Sequence, residues 1–422
     1  MDSLDFLFSL ERLGMKFGLE NIRTLCRALG DPQQSFQSVI VAGTNGKGSV
    51  TAMLATALHA AGHRSSRYTS PHLERLEERF VIAEREVDSS ELRQAADSVR
   101  SAIERLVGDG SLEGLPTFFE CATAIAFELF RRAQVSIAVL EVGLGGRLDS
   151  TNVVTPLAAA ITSIDFDHQA QLGDTLEAIA YEKAGVIKHG IPVVIGPLPP
   201  AAERIVSDVC RERCARMVRA LDRVRVEPRG PGVSFSTPER DLPDAHLALQ
   251  GRHQTQNAAV AVTMLEELNR LGIGVDTASM RSGLADTRWP ARLERRQWHG
   301  ADVLLDAAHN PAGARALADY LRDIGWTDAT LVAGTLGDKD VEGILAPLLP
   351  WCRSLICTTP VSPRALPAAE LAARAAAMRG APAEIDVIGD PADAVRHACV
   401  SGARVIVAGS IFLVGPVRGI LR

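Results

Sequence analysis

The chain has 422 residues, too many for one compact core, and two domains are the first expectation. Apolar residues make up 46% and charged residues 23%, ordinary values for a globular protein; a net charge of −6, from 45 basic and 51 acidic residues, argues against a nucleic-acid-binding surface. Aromatic content of 5% leaves little for a base-stacking platform, and an odd set of seven cysteines with no C-x-x-C pair supports neither a disulfide framework nor a zinc site.

Acids interrupt the apolar pattern of the opening "MDSLDFLFSLERLG", which does not read as a signal peptide. No apolar run reaches the roughly 20 residues that span a membrane. A cytoplasmic protein without a membrane partner is expected.

Residues 38–42 read as a buried strand and 49–61 as a helix closed by Gly62. Between them lies "GTNGKGS", residues 43–49. Glycines let backbone N–H groups approach oxyanions, and a helix N-terminus adds positive potential, so this is the context of a phosphate loop. It departs from the Walker A pattern, because Gly48 separates Lys47 from Ser49 and Val41 holds the place of the first glycine. A tight turn with an incidental lysine is the plainer alternative.

Ser70-Pro71-His72 follow a strand reading at "SSRYTS". A hydroxyl at a strand end completes a magnesium shell; a Ser-Pro turn without function is equally common. Strands at 137–142 and 158–164 end beside Glu141 and beside Asp165, Asp167 and His168. Ligands of open parallel sheets sit beyond the carboxyl ends of strands, which places both groups near Lys47. Glu141 is a hard acid suited to Mg²⁺. His168 is either a second metal ligand or a capping or loop histidine. A helix over 174–184 carries Lys183, for which an ion pair with Glu182 or a strand-end acid is the default. A strand follows at 191–195, and Cys210 and Cys214, a helical turn apart, read as buried apolar positions.

Short β pieces over 222–250 precede a long helix at 254–271, and "TRWPA", 287–291, marks the linker, giving domains 1–288 and 289–422. The second has strands at 302–306, 329–332, 354–358, 384–388 and 404–408, with helices between them, one at 312–322. The Ala-rich stretch 365–383 reads as helix and loop. The expected fold class is α/β: a first domain with a central, mostly parallel sheet, a P-loop ATPase domain on the phosphate-loop reading of 43–49, and a smaller doubly wound, Rossmann-like C-terminal domain. In "LLDAAHNPAG", Asp306 suits ribose hydroxyls and His309 suits phosphate, while Asn310-Pro311 also serves simply to start a helix. "TLGDKD", 335–340, is similarly placed.

These motifs together resemble the folylpolyglutamate synthase and dihydrofolate synthase family of ATP-dependent Mur-type ligases. The resemblance runs through "MKFGLENI", "VAGTNGKGS", "TSPHL", "TFFECATAIAF", "LEVGLGGRLDSTNV", "DHQAQLGDTLEAIAYEKAGVIK", "GRHQTQNAAVA", "WPARLE", "DAAHNP" and "TLGDKD", nearly the whole chain. The family loop has the same glycine between lysine and hydroxyl.

The resemblance implies that Gly43, Thr44, Asn45, Gly46, Lys47, Gly48 and Ser49 bind ATP phosphates, and that Asn257, Arg292, Asp306 and His309 make further nucleotide contacts. It implies Ser70 and Glu141 as ligands of one Mg²⁺ and His168 of a second, and Lys183 as a lysine carboxylated by CO₂. Catalysis would then rest on Lys47, His168 and Lys183. Thr117, Phe118, Phe119, Glu120, Leu148, Asp149 and Ser150 would line the pterin site, with Met15, Lys16 and Phe17 a weaker match. The implied substrates are dihydropteroate or folate and L-glutamate, and the implied state is a monomer. Two positions depart from the family pattern, Ala307 and Ala291, where the family often has glycine. Too few residues precede Gly43 for the UDP-sugar domain of a cell-wall ligase, so that relative is not expected.

Overall fold

The computed structural model describes residues 2–14, 16–112, 114–229 and 232–421. They divide into two units. One runs to Ala248 and takes up Thr255–Thr287; the other comprises Leu249–Gln254 and the chain from Arg288 onward. Leu249–Gln254, placed in the first domain by sequence, packs with the second: Arg252 makes a two-pronged ion pair with Asp323 at 2.5 and 2.9 Å.

The first unit is built on an eight-stranded sheet. Its spatial order is Arg85–Glu86, Phe80–Ile82, Ser65–Tyr68, Ile137–Glu141, Gln37–Ala42, Ala158–Ile161, Pro192–Ile195 and Arg216–Arg219. All neighbours are parallel except the first two pairs. Strands covered on both faces read as unbroken apolar runs, as "VIVA" and "IAVLE" do. One face carries the Ser89–Gly108 and Phe118–Arg132 helices, the other Leu176–Ala184 and Pro200–Glu212. The Lys47–Ala60 helix is buried along nearly its whole length. An antiparallel three-stranded sheet, Arg225–Arg229, Gly232–Ser236 and Asp241–Ala245, fills the 222–250 region.

The second unit has a six-stranded sheet in the order Glu294–Trp298, Ala301–Leu305, Arg404–Ala408, Ala329–Ala333, Cys352–Cys357, Glu384–Val387. Only the edge strand Glu294–Trp298 is antiparallel. Its sequence "ERRQW" is too polar to have read as strand. Cys210 is buried as expected, but Cys214 lies past the end of its helix at φ 50 and is exposed. All seven cysteines are free thiols. Among the described residues, no helix is long and apolar enough to cross a membrane.

Ala291 holds φ 57, a left-handed backbone that explains why the family often has glycine there. Its carbonyl accepts from Ala307 N at 3.0 Å and its N–H donates to Glu294 Oε2 at 2.9 Å, so the conformation is pinned. Ala291→Gly is therefore expected to raise stability by about 0.5–1 kcal/mol. A higher urea midpoint at unchanged slope is the measurement.

Candidate active site

The 43–49 loop is shaped by contacts that only glycine permits. Gly43 sits at φ 147, and a Cβ there would collide with Thr162 Oγ1; Gly46 sits at φ 85 with Asn257 Oδ1 against it. The helix starts at Lys47, two residues before the sequence expectation, because left-handed Gly46 already supplies the N-cap. The strand expected to run to 164 stops at Ile161, because the next residues leave the ladder to hold the loop. Thr162 Oγ1 and Ser163 Oγ donate to Asn45 O at 2.6 and 3.0 Å, and Thr44 N donates to Ser163 O at 2.7 Å. Thr44 Oγ1 donates to Asp165 O and accepts from Asp165 N, tying in the segment that carries His168. Sequence reasoning passed over Thr162 and Ser163; two hydroxyls at a strand end beside a glycine loop were the available signal.

Two ammonium groups meet at one oxygen. Lys47 Nζ donates to Gly43 O at 3.0 Å and to Thr44 O at 3.0 Å, and Lys183 Nζ donates to the same Gly43 O at 2.9 Å. The default ion pair of Lys183 with Glu182 does not form, since Glu182 holds Arg147 at 2.8 Å. Burial lowers the Lys183 ammonium to about 7, with repulsion from Lys47 adding to the effect. A neutral amine is thus a substantial fraction of Lys183 near pH 7.

Ser70 and Glu141 are adjacent, with Ser70 N donating to Glu141 Oε2 at 3.1 Å. Ser70 Oγ is buried without a hydrogen-bond partner, an orphan oxygen beside a carboxylate. That is a hard donor pair suited to Mg²⁺, which keeps most of its shell for phosphate and water. Among the described residues, no three His, Cys, Asp or Glu side chains converge as a self-sufficient metal site. His168 stands at φ 52 at the head of the short Gln169–Leu172 helix without a side-chain capping bond, its Nε2 3.8 Å from Asp167 Oδ1. His168 thus holds the N-cap position through its backbone, its carbonyl accepting from Leu172 N at 2.9 Å.

The segments matched to the pterin site form a wall in the same unit. Thr117 and Glu120 make a reciprocal cap for the Phe118–Arg132 helix, and the Glu120 carboxylate accepts from Thr117 N and Oγ1 at 2.8 and 2.9 Å. Asp149 accepts from the N–H groups of Gly143, Leu144 and Thr151 and from Thr151 Oγ1. Both carboxylates are spent on shaping their turns. Burial raises the Asp149 pKa while those four donors oppose it. Ser150 is buried, Leu148 half-buried, and Phe119 lies tilted by 30° against Tyr68 with ring centres 6.0 Å apart. Lys16 and Phe17 are exposed, and Met15 lies outside the described residues. Beside Phe118, Arg79 Nε donates to His72 Nδ1 at 2.9 Å. Burial, then the Arg79 charge, lowers the His72 pKa to about 4. Arg79 sits in "LEERF", which reads like any polar surface turn, and sequence gave no reason to single it out.

In the second unit, Asp306 is buried and accepts from Leu293 N and Ala308 N, both at 2.9 Å. Burial raises its pKa, opposed by the nearby charges of Arg292 and His253. His309 Nδ1 donates to Ala307 O at 2.9 Å. Asn310 Oδ1 accepts from Gly313 N at 2.8 Å and caps the Pro311–Asp323 helix, which is the plainer of the two readings for that residue.

The family described as Mur ligase, glutamate ligase domain, matches residues 291–411. A folylpolyglutamate synthase of Lacticaseibacillus casei is 37% identical over 377 residues, covering 87% of each chain. A Mycobacterium tuberculosis folylpolyglutamate synthase, solved with ADP and AMPPCP, superposes with a TM-score of 0.90 at 33% identity, covering 100% of this chain and 99% of that one. Escherichia coli FolC, solved with DHPP and ADP, gives 0.88 at 31% identity, covering 100% and 97%. The chain belongs to the folylpolyglutamate synthase and dihydrofolate synthase family, the ATP-dependent glutamate ligases of the Mur type.

Proposed function

We propose that the chain joins L-glutamate to the carboxylate of dihydropteroate, of (tetrahydro)folate polyglutamates, or of both, at the cost of ATP. The observation that carries this reading is the meeting of Lys47 and Lys183 at Gly43 O, at the sheet end where Ser70 and Glu141 also lie.

The 43–49 loop holds the phosphates with its N–H groups, and Lys47 leaves its loop carbonyls for the terminal phosphate oxygens. An acceptor carboxylate and a γ-phosphate are both anions, so the site must first remove their repulsion. Ser70 and Glu141 would hold one Mg²⁺ and His168 a second, and bound metal supplies neutralising charge between phosphate and carboxylate. Loop amides and Lys47 supply the rest. A carboxylate oxygen then bonds to the γ-phosphorus, the bond to the bridging oxygen breaks, and ADP leaves an acyl phosphate. The neutral amine of L-glutamate attacks the acyl carbon, phosphate departs, and the amine proton is lost to solvent. Asn257, Arg292, Asp306 and His309 would hold the nucleotide. Residues 117–120 and 148–150, with Lys16 and Phe17, would border the pterin. The buried, half-neutral Lys183 is suited to add CO₂: an N–C bond forms, a proton leaves, and an anionic carbamate replaces repulsion of Lys47 with attraction.

The test is ADP formation with dihydropteroate against tetrahydrofolate at equal glutamate. Hydrolysis that needs both an acceptor and glutamate is expected. Hydrolysis indifferent to both, or triggered only by a protein, would replace the ligase with a nucleotide-driven switch.

A further inference from the structure

Arg79 is a buried cation without a counter-ion. It is 7% exposed, yet among the described residues no carboxylate stands within ion-pair distance of it. Its Nε is spent on the neutral ring of His72 at 2.9 Å, the Tyr68 hydroxyl oxygen faces it, and its Cζ lies 5.1 Å from the centre of the Phe118 ring. Glu141 and Glu11 stabilise its charge only through space. An unpaired buried guanidinium is costly, and a site that keeps one is prepared for an anion.

The surroundings say which anion. Arg79 stands beside aromatic rings, Phe118 below it and Tyr68 stacked on Phe80 at 5.6 Å and tilted against Phe119 at 6.0 Å. Those rings suit a flat heteroaromatic body. Lys47 and Lys183 donate to the phosphate loop, and among the described residues no hydrogen bond joins Arg79 to it. A planar fork of N–H donors matches a carboxylate in two-point fashion. Resting on the folate-ligase reading above, we propose that Arg79 binds the carboxylate end of the acceptor substrate, while the aromatic wall takes its ring system. The residue thereby distinguishes an acceptor acid from its uncharged analogues.

The experiment titrates the full-length chain with pteroate and with pteroate carboxamide, in EDTA so that no metal takes the carboxylate. Wild type is expected to favour the acid by roughly tenfold to a hundredfold, the range of a charge-assisted pair. Arg79→Gln is expected to bring the two affinities together and to leave ADP binding unchanged. Arg79→Lys, which keeps the charge but loses the fork, is expected to fall between, and it decides the matter if the glutamine variant does not fold. A wild-type chain indifferent to the acid, a variant that keeps the full preference, or a variant whose ADP affinity falls instead would each overturn the assignment. Glutamate ligation to pteroate-type acceptors by wild type is measured alongside, so that failure of the ligase reading is seen separately.

Discussion

Lys183→Ala is expected to lower turnover at least about a thousandfold, the scale of losing a preorganised charged group in a water-poor site. Part of the activity should return on adding small carboxylates such as formate or acetate, which would carry the charge of the proposed carbamate. The argument is electrostatic. In the bare protein Lys183 donates one hydrogen bond, to Gly43 O, and shares that oxygen with Lys47. A buried ammonium so placed opposes folding, and its pKa falls from 10.5 to about 7.

The sign of the pH effect follows. Between those two values the unfolded chain binds the proton and the folded chain does not, so stability rises with pH across that window. Below about 7 both forms are protonated and the full penalty, on the order of 5 kcal/mol, is present; above 10.5 it is gone. In CO₂-free buffer, Lys183→Met is expected to be more stable than wild type at pH 6 and to lose that advantage as pH rises towards 10. Equal stability across the range would mean that the amine is not buried as described. Unchanged turnover in Lys183→Ala would remove the carbamate from the mechanism.

The parallel core was legible because strands such as 38–42 and 137–141 are apolar without a break, which is what burial on both faces demands. The glycine loop was legible because Gly43 and Gly46 hold conformations that other residues resist. The strands Phe80–Ile82, Arg85–Glu86 and Glu294–Trp298 were not: they are short or polar, and pairing partners rather than their own pattern make them strands. The end of the Ala158–Ile161 strand was missed for a related reason. Thr162 and Ser163 are good strand residues locally, but their hydroxyls are claimed by Asn45 O more than a hundred residues away in sequence. Long-range placement also separates Lys183 from its neighbour Glu182. One carries a buried amine into the loop and the other turns out to Arg147, and no local rule distinguishes them. Asp149, expected at the pterin site, also fastens the 143–151 turn through four hydrogen bonds, which no local pattern announced.

Lys47→Ala is expected to reduce turnover by about 10³-fold or more, because in the proposed mechanism its ammonium meets the terminal phosphate in the transition state. Folding stability should change little, since the loop carbonyls that Lys47 Nζ bonds can be served by other donors or by water. A second consequence separates this role from a general loosening of the loop. Lys47 is one of the groups that depress Lys183, and its removal lets the Lys183 pKa climb. Less neutral amine is then available to CO₂ at pH 7, and the carbamate loses its nearest cation. With ¹³CO₂ and carbon NMR, the pH at which the Lys183 carbamate signal reaches half its maximum should move upward in Lys47→Ala relative to wild type. A variant with near-normal glutamate ligation would dismiss the phosphate-loop role, and a carbamate titration that stays in place would mean that the two lysines do not share the field around Gly43 O.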